Sequence, residues 1–507
     1  MAARLTQPMD LLANLATGLG TALVPLNLLY CFLGVLLGTL VGVLPGLGPV
    51  ATIAMLLPAT FTLSAESALI MLAGIYYGAQ YGGSTTAILV NLPGESSSVI
   101  TALDGYRMAQ QGRAGAALAT AAIASFVAGT AATFFVAFLA PPLAAVAMSF
   151  QAPDYFSLMV LGLVAAVVLA QGSLLKALAM VVLGLLLGLV GTDVTSGMRR
   201  YTFGVPELAD GISFVVVAMG LFGIAEIVRN LEREVPREPA AARIGALMPS
   251  RADLARILAP IARGTGCGAL LGILPGGGAL LASFAAYSLE KKVSPRGAEF
   301  GRGAIEGVAA PEAANNAGAQ ASFIPTLTLG IPSNPVMALM IGALILQGIR
   351  PGPNVMVEQP RLFWGVIVSM WVGNLFLLVL NLPLIGLWVR LLAVPYGLLY
   401  PVILVFAAVG VLSLANAPFD VHLMALFGVL GYVLLKLDCE PAPLLLGYIL
   451  GPMMEEYLRR AMALSRGDPM IFLERPISAA MLAAALLAML AVVLPAVRRT
   501  RRQAFTE

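Results

Sequence analysis

Apolar residues run through this chain in stretches of about 20, each long enough to cross roughly 30 Å of hydrocarbon as a helix. Stretches such as Leu178 to Val190 lack the polar-apolar alternation of a membrane β-strand. The pattern predicts an all-α polytopic membrane protein. Spans are expected near 25–44, 48–60, 67–91, 115–139, 156–171, 174–191, 211–228 and 254–274, then near 277–289, 306–324, 335–348, 363–390, 396–415, 421–437, 441–456 and 477–497. Several are too short to span alone. Residues 48–60 and 277–289 each follow a Leu-Pro-Gly motif, which should break a helix or turn a re-entrant hairpin inside the membrane. Such backbone is tolerated only where protein or a water-filled cavity surrounds it.

The motif occurs twice. Leu40 to Pro49 reads LVGVLPGLGP and Leu270 to Ala279 reads LLGILPGGGA, an offset of 230; Gly78-Ala79-Gln80 recurs as Gly318-Ala319-Gln320, and Pro93 of NLPGE as Pro332 of GIPSN. Two sequence-related repeats are therefore present, and paired segments broken by Gly and Pro point to the substrate site of a secondary transporter. Residues 1–24 read as an N-terminal interfacial helix, 25–228 as the first repeat and its following spans, and 257–497 as the second. Between them, 229–256 carries Arg229, Arg233, Arg237, Arg243, Arg251 and Arg256 and reads as a basic cytoplasmic linker; the tail 498–507 is basic too. The early loop of the first repeat, Pro58 to Glu66, has no Lys or Arg, whereas Arg107 and Arg113 follow later. In the second repeat the order reverses, with Lys291, Lys292, Arg296 and Arg302 in the early loop. That reversal predicts inverted topology, although Arg350 and Arg361 run against it.

Composition narrows the function classes. Charged residues are 11% and hydrophobic ones 59% of the 507, with mean hydropathy +0.92, whereas a soluble domain carries about 25% charged residues. Cys31, Cys267 and Cys439 stand far apart, the single His422 builds no metal cluster, and no hydrolase elbow, Walker loop or HExxH pattern occurs. An enzyme is not expected. A net charge of +3 gives no reason to invoke nucleic acid.

Two segments carry the chemistry: Tyr76 to Ser98, YYGAQYGGSTTAILVNLPGESSS, and Glu306 to Asn334, EGVAAPEAANNAGAQASFIPTLTLGIPSN. Breaking a helix exposes carbonyls at one broken end and N–H groups at the other. Carbonyls and side-chain oxygens suit Na⁺, and the N–H groups and positive dipole end suit a carboxylate. The candidate substrate-binding residues are Gly46, Gly48, Pro93, Gly94, Glu95, Ser96 and Ser97 in the first half. Their counterparts are Gly276, Gly277, Gly278, Pro332, Ser333 and Asn334. The candidate Na⁺ ligands are Ser84, Thr85, Thr86, Asn315, Asn316 and Gln320, with H⁺ through Glu95 or Glu312 as the alternative coupling. Against this stands the reading that the glycines permit close helix packing and the hydroxyls bond across helices. Glu95, Glu306, Glu312 and Asp104 are equally open to capping or structural roles, Lys176 to a tight loop, and His422 to a span entrance. A channel or passive anion pore is the competing class.

At these segments the chain resembles the large membrane subunit, TctA, of the tripartite tricarboxylate transporter family. The resemblance rests on GVLPGLGP from Gly42, YYGAQYGGSTTAILVNLPGE from Tyr76, Leu103-Asp104-Gly105-Tyr106, GILPGGGA from Gly272, EGVAAPEAANNA from Glu306, and FIPTLTLGIPSNPVMALMIGAL from Phe323. It implies a multi-pass secondary transporter of the bacterial inner membrane, taking up carboxylates on a cation gradient. It further implies two partners, a small four-helix membrane subunit similar to TctB and a periplasmic solute-binding protein similar to TctC.

Overall fold

The computed structural model describes residues 8–44, 48–92, 94–170, 173–193, 195–232, 247–274, 278–391, 396–415 and 417–493. Helices follow one another as α1 (Pro8–Ala22), α2 (Pro25–Val43), α3 (Pro49–Thr60), α4 (Ala65–Val90), α5 (Val99–Gln110), α6 (Ala114–Ala147), α7 (Ala152–Leu169) and α8 (Leu174–Gly188). A short antiparallel hairpin follows, β1 (Gly191–Thr192) and β2 (Arg199–Arg200). Next come α9 (Phe214–Ala218), which passes through a π-helical turn at Met219–Ile224 into α10 (Ala225–Glu232), then α11 (Arg251–Leu271), α12 (Gly278–Val293), α13 (Glu306–Ala321) and α14 (Phe323–Leu329). The remainder is α15 (Pro335–Leu346), α16 (Val355–Glu358), α17 (Pro360–Asn381), α18 (Ile385–Leu391), α19 (Tyr396–Ala415), α20 (Pro418–Lys436), α21 (Pro441–Leu464), α22 (Ile471–Glu474) and α23 (Pro476–Val493). Among the described residues five stretches are long and apolar enough to cross a membrane: Pro25–Val43, Ala114–Ala147, Phe214–Glu232, Pro360–Asn381 and Pro418–Lys436. With shorter apolar helices between them, the chain is a multi-pass helical membrane protein.

Several starts are set by proline at the first helical positions, as at Pro25, Pro49, Pro335 and Pro360, where its fixed φ suits the helix and no hydrogen bond is lost. The expected span 363–390 is two helices, because the chain leaves helical geometry between Asn381 and Ile385. α1 lies along α17, with Gly18 against the Trp364 carbonyl. Helix α10 continues to Glu232, past the expected start of the linker at 229; Arg233, Arg237 and Arg243 lie outside the described residues, as does the tail 498–507.

The two halves are built on matching seams of small residues. A Cβ on Gly34, Gly38 or Gly42 of α2 would stand 2.3, 2.3 or 2.5 Å from the carbonyl oxygens of Met71, Ile75 and Ala79 on α4. On Gly264 and Gly268 of α11, and on Gly272 that caps it, it would stand 2.3, 2.4 and 2.5 Å from those of Ala310, Ala314 and Gly318 on α13. Backbone meets backbone at four-residue spacing, which is how helices associate in a solvent as apolar as their own side chains. Because carbonyls cannot swing aside, Gly38→Val or Gly268→Val should cost at least the ~1–3 kcal/mol of an overpacked core. A thermal midpoint by size-exclusion chromatography equal to that of the parent would contradict these seams.

The open end of the α2–α3 hairpin lies beside the start of α4, where Ser67 Oγ donates to Asn27 Oδ1 (2.5 Å), and beside the end of α15, where Gln347 Nε2 donates to the Thr60 carbonyl (3.1 Å). That of the α11–α12 hairpin is tied elsewhere. Arg113, just before α6, pairs with Asp253 at 2.9 Å, and Arg263 grips Glu290 through two bonds of 2.7 Å. Arg256 holds Glu306 through two of 2.8 Å. The β1–β2 hairpin is fastened to α21 by Arg200 on Glu455 (2.8 Å) and Arg459 on Asp193 (2.7 Å). There the Thr195 N–H, then that of Ser196 and the Arg459 guanidinium, hold the Asp193 carboxyl down at about 2.

Candidate functional site

Helix α4 ends at Asn91 in the left-handed conformation (φ 55°), and α14 ends the same way at Gly330 (φ 70°). After each, the chain folds back as an extended tip. In the first, the Gly94 N–H donates to the Gly83 carbonyl (3.4 Å), and a Cβ on Gly94 would lie 2.0 Å from the Gly42 oxygen. Glu95 is then extended at the start of a 3₁₀ turn, Ser96–Ser98, that leads into α5. In the second tip, Asn334 is extended at the start of α15, which its Oδ1 caps by accepting the Met337 N–H at 2.9 Å.

Each tip reaches onto the broken helix of the other half. Asn315 Nδ2 of α13 donates to Glu95 (3.0 Å), and Asn334 Nδ2 donates to Tyr76 OH of α4 (3.2 Å). Ser97 Oγ bonds Glu95 and Gln80 Oε1, the latter at 3.1 Å. Glu95 and Asn334 are half-buried and Ser96 is exposed. Ser333 is instead buried, bonded to the Ser322 carbonyl (3.3 Å), and Pro332 is buried beside it. Gly48 caps α3 and would meet no neighbour with a Cβ; Gly278 opens α12 with φ 39°, facing Asn334. Gly46, Pro93, Gly276 and Gly277 lie outside the described residues.

The hydroxyls and amides expected to hold a cation divide into separate groups. Ser84 Oγ (2.7 Å), Ser125 Oγ (3.2 Å) and Thr101 Oγ1 bond the carboxylate of Glu312, which is fully buried. Asn316 joins them by donating to Ser125 Oγ at 2.6 Å. Thr85 lines the same pocket, a space of about 10 Å³, enough for one water or small ion. Thr86 turns away to the carbonyls of Gly42 and Val43. Asn315 serves Glu95, and Gln320 bonds Thr133; among the described residues its Nε2 has no partner, nor has the adjacent amide of Asn374.

Of the other acids, Glu306 is ion-paired, and Asp104 accepts the N–H groups of Gly301, Gly303 and Ala304 (2.8, 2.8 and 2.9 Å) and the Tyr287 hydroxyl (2.9 Å). Asp104 thus ties α5 to the start of α13, a structural role. Among the described residues neither Glu95 nor Glu312 has a basic partner within ion-pair distance. Lys176 Nζ bonds the Leu437 carbonyl (2.6 Å), and His422 sits exposed in the first turn of α20. Thr101, Ser125, Thr133 and Asn374 escaped the reading of the sequence. A signal for two of them was there: Glu312, Asn316 and Gln320 recur at four-residue spacing on α13, as do Ser125, Gly129 and Thr133 on α6, so two facing stripes meet.

Residues 28–446 match the tripartite tricarboxylate transporter TctA family. An uncharacterized 52.8 kDa protein in the TAR-I ttuC' 3' region of Agrobacterium vitis is 61% identical over 499 residues, 98% of this chain and 99% of that protein. An uncharacterized protein in the TAR-II ttuC' 3' region of the same organism is 60% identical over 240 residues, 47% of this chain and 99% of that protein. No solved structure matches. With the motif-bearing tips and both broken helices inside the matched span, the chain belongs to the tripartite tricarboxylate transporter TctA family, as a multi-pass membrane subunit of such a transporter.

Proposed function

We propose that this chain is the large permease subunit of a cation-coupled secondary transporter in a bacterial inner membrane, taking up tricarboxylates or related organic acids. A periplasmic solute-binding protein similar to TctC delivers the substrate, and a small subunit similar to TctB completes the complex. The observation that carries this reading is the crossing of the two tips, where half-helix starts and polar side chains from both halves converge at backbone breaks. A pore has no need of such matched breaks.

Inverted topology accords with the contacts. α2 runs alongside α4 and α11 alongside α13, yet the α2–α3 hairpin opens beside the start of α4 while the α11–α12 hairpin opens toward Arg113, beyond the end of α5. Na⁺ is the expected coupling ion, because the candidate ligands are oxygens. H⁺ is the second reading, favoured by the Glu312 carboxylate held only by hydroxyls.

Reconstitution of the complex in proteoliposomes should show citrate or another carboxylate accumulating on an inward Na⁺ gradient and exchanging in counterflow. Uptake driven by a pH gradient and indifferent to Na⁺ would assign H⁺ instead. Flux without counterflow would make the protein a channel.

A further inference from the structure

We propose that the pocket at Glu312 holds one small monovalent cation, Na⁺ or H⁺. It gives the coupled cation of the preceding reading a place and rests on that reading.

The pocket is walled by α4, α6, α13, the end of α17 and the start of α18. Around its floor stand Glu312, Ser84, Thr85, Ser125, Tyr81 and Asn381, and every polar side-chain atom they turn to it is oxygen. Asn381 is committed to this by its own bonding: its Nδ2 donates to the Leu377 carbonyl (2.9 Å), which leaves Oδ1 for the cavity. Among the described residues, that oxygen and Tyr81 OH have no hydrogen-bond partner, although Tyr81 is 3% and Asn381 5% exposed. An unpartnered buried polar atom is costly, and a buried carboxylate without a counter-charge more so. One occupant relieves both deficits if it is positive and accepts oxygen ligands.

Charge and size set its class. Among the described residues Glu312 is the only acid lining the space, so a single positive charge neutralises it, and the volume of about 10 Å³ admits one small ion or water. Carboxylate, hydroxyl and carbonyl oxygens suit hard cations. No group of three His, Cys, Asp or Glu occurs among the described residues, which removes the usual ligand set of a transition metal. The ionisable groups that feel the Glu312 charge are Tyr81 from α4 and Glu95 from the first tip; α5, α6 and α17 present Thr101, Ser125 and Asn381, none of which titrates. Asn381 ends α17 and Ile385 begins α18, so the break between these helices borders the pocket.

The test is cation binding by the purified full chain in detergent, which needs neither substrate nor partner subunits. If the ion is Na⁺, radioactive Na⁺ should bind saturably, Glu312→Gln should weaken it by at least about tenfold, and Tyr81→Phe, which removes one oxygen and no packing, should weaken it less. If the ion is H⁺, the parent binds no Na⁺, but infrared difference spectra across a pH step show a carboxyl band that Glu312→Gln removes and that Tyr81→Phe shifts. Na⁺ binding or an infrared band indifferent to both substitutions overturns the site, as does the absence of both signals in the parent protein. Failure of carboxylate uptake by a complex whose cation binding is intact would sink the transport reading and leave the site standing.

Discussion

Replacing Gly94 by valine should abolish carboxylate uptake in protein that still inserts and elutes as a single species. A Cβ there would lie 2.0 Å from the Gly42 carbonyl oxygen and 2.7 Å from the Gly83 Cα. Both obstacles are backbone, one at the end of α2 and the other within α4, and those helices are locked together by their glycine seam. The tip must give instead. Because it carries Glu95 and the Ser96–Ser98 turn, its displacement separates Glu95 from Asn315 and Ser97 from Gln80, and the crossing of the two halves is lost. The contacts at stake are few and local, so the loss falls on transport rather than on the bulk of the fold. Sequence reasoning expects the same of Gly46→Val and Gly276→Val at the Leu-Pro-Gly motifs. Uptake assays in proteoliposomes beside size-exclusion profiles decide it, and normal transport by Gly94→Val would show that this close approach does not matter.

The helical membrane class was legible because runs of apolar residues have one physical solution in hydrocarbon, and the tips were legible because Gly and Pro mark breaks in such runs. Asn91 was quoted within NLPGE, and its left-handed helix end is what that motif encodes. The partners of the broken helices were harder to see. Ser125 and Thr133 sit in an alanine-rich helix, where a hydroxyl can bond its own preceding turn and need point to nothing. Their meaning comes only from α13 lying alongside. Asn374 and Asn381 are similarly silent, being amides in an apolar span whose neighbours α6 and α4 come from far earlier in the chain. The acids show the same limit. Glu312 and Glu306 stand six residues apart on one helix, yet Arg256 and Arg296 neutralise one while hydroxyls alone surround the other. Spacing cannot tell them apart, because what differs is the element packed against each.

Substrate affinity should depend on the tips and not on nearby basic loops. Alanine at Ser96 or Asn334 should raise the apparent KM for the carboxylate by about tenfold or more, the scale of a lost hydrogen bond to a charged group. Arg107→Ala and Lys291→Ala should leave it unchanged. Arg107 is exposed and bonds Gln110 (3.0 Å), and Lys291 is exposed near the end of α12. Neither is near the crossing. Ser97→Ala and Ser333→Ala should have smaller effects, since those hydroxyls are buried and already bonded, Ser97 to Glu95 and Gln80 and Ser333 to the Ser322 carbonyl. Asn334 needs a second substitution, because alanine also removes the cap of α15 and the bond to Tyr76. Aspartate keeps the cap, as good an acceptor for the Met337 N–H as asparagine, but it places a negative charge where a carboxylate would bind. Asn334→Asp should therefore retain the parent's thermal midpoint and raise the apparent KM more than Asn334→Ala. Donors of this kind, N–H groups and hydroxyls at half-helix starts, exchange an anion's water without a permanent buried cation that would oppose release. If Arg107→Ala or Lys291→Ala destroyed affinity while the tip substitutions did not, the carboxylate would be bound at the basic loops, and the crossing of the tips would be no more than a structural clasp.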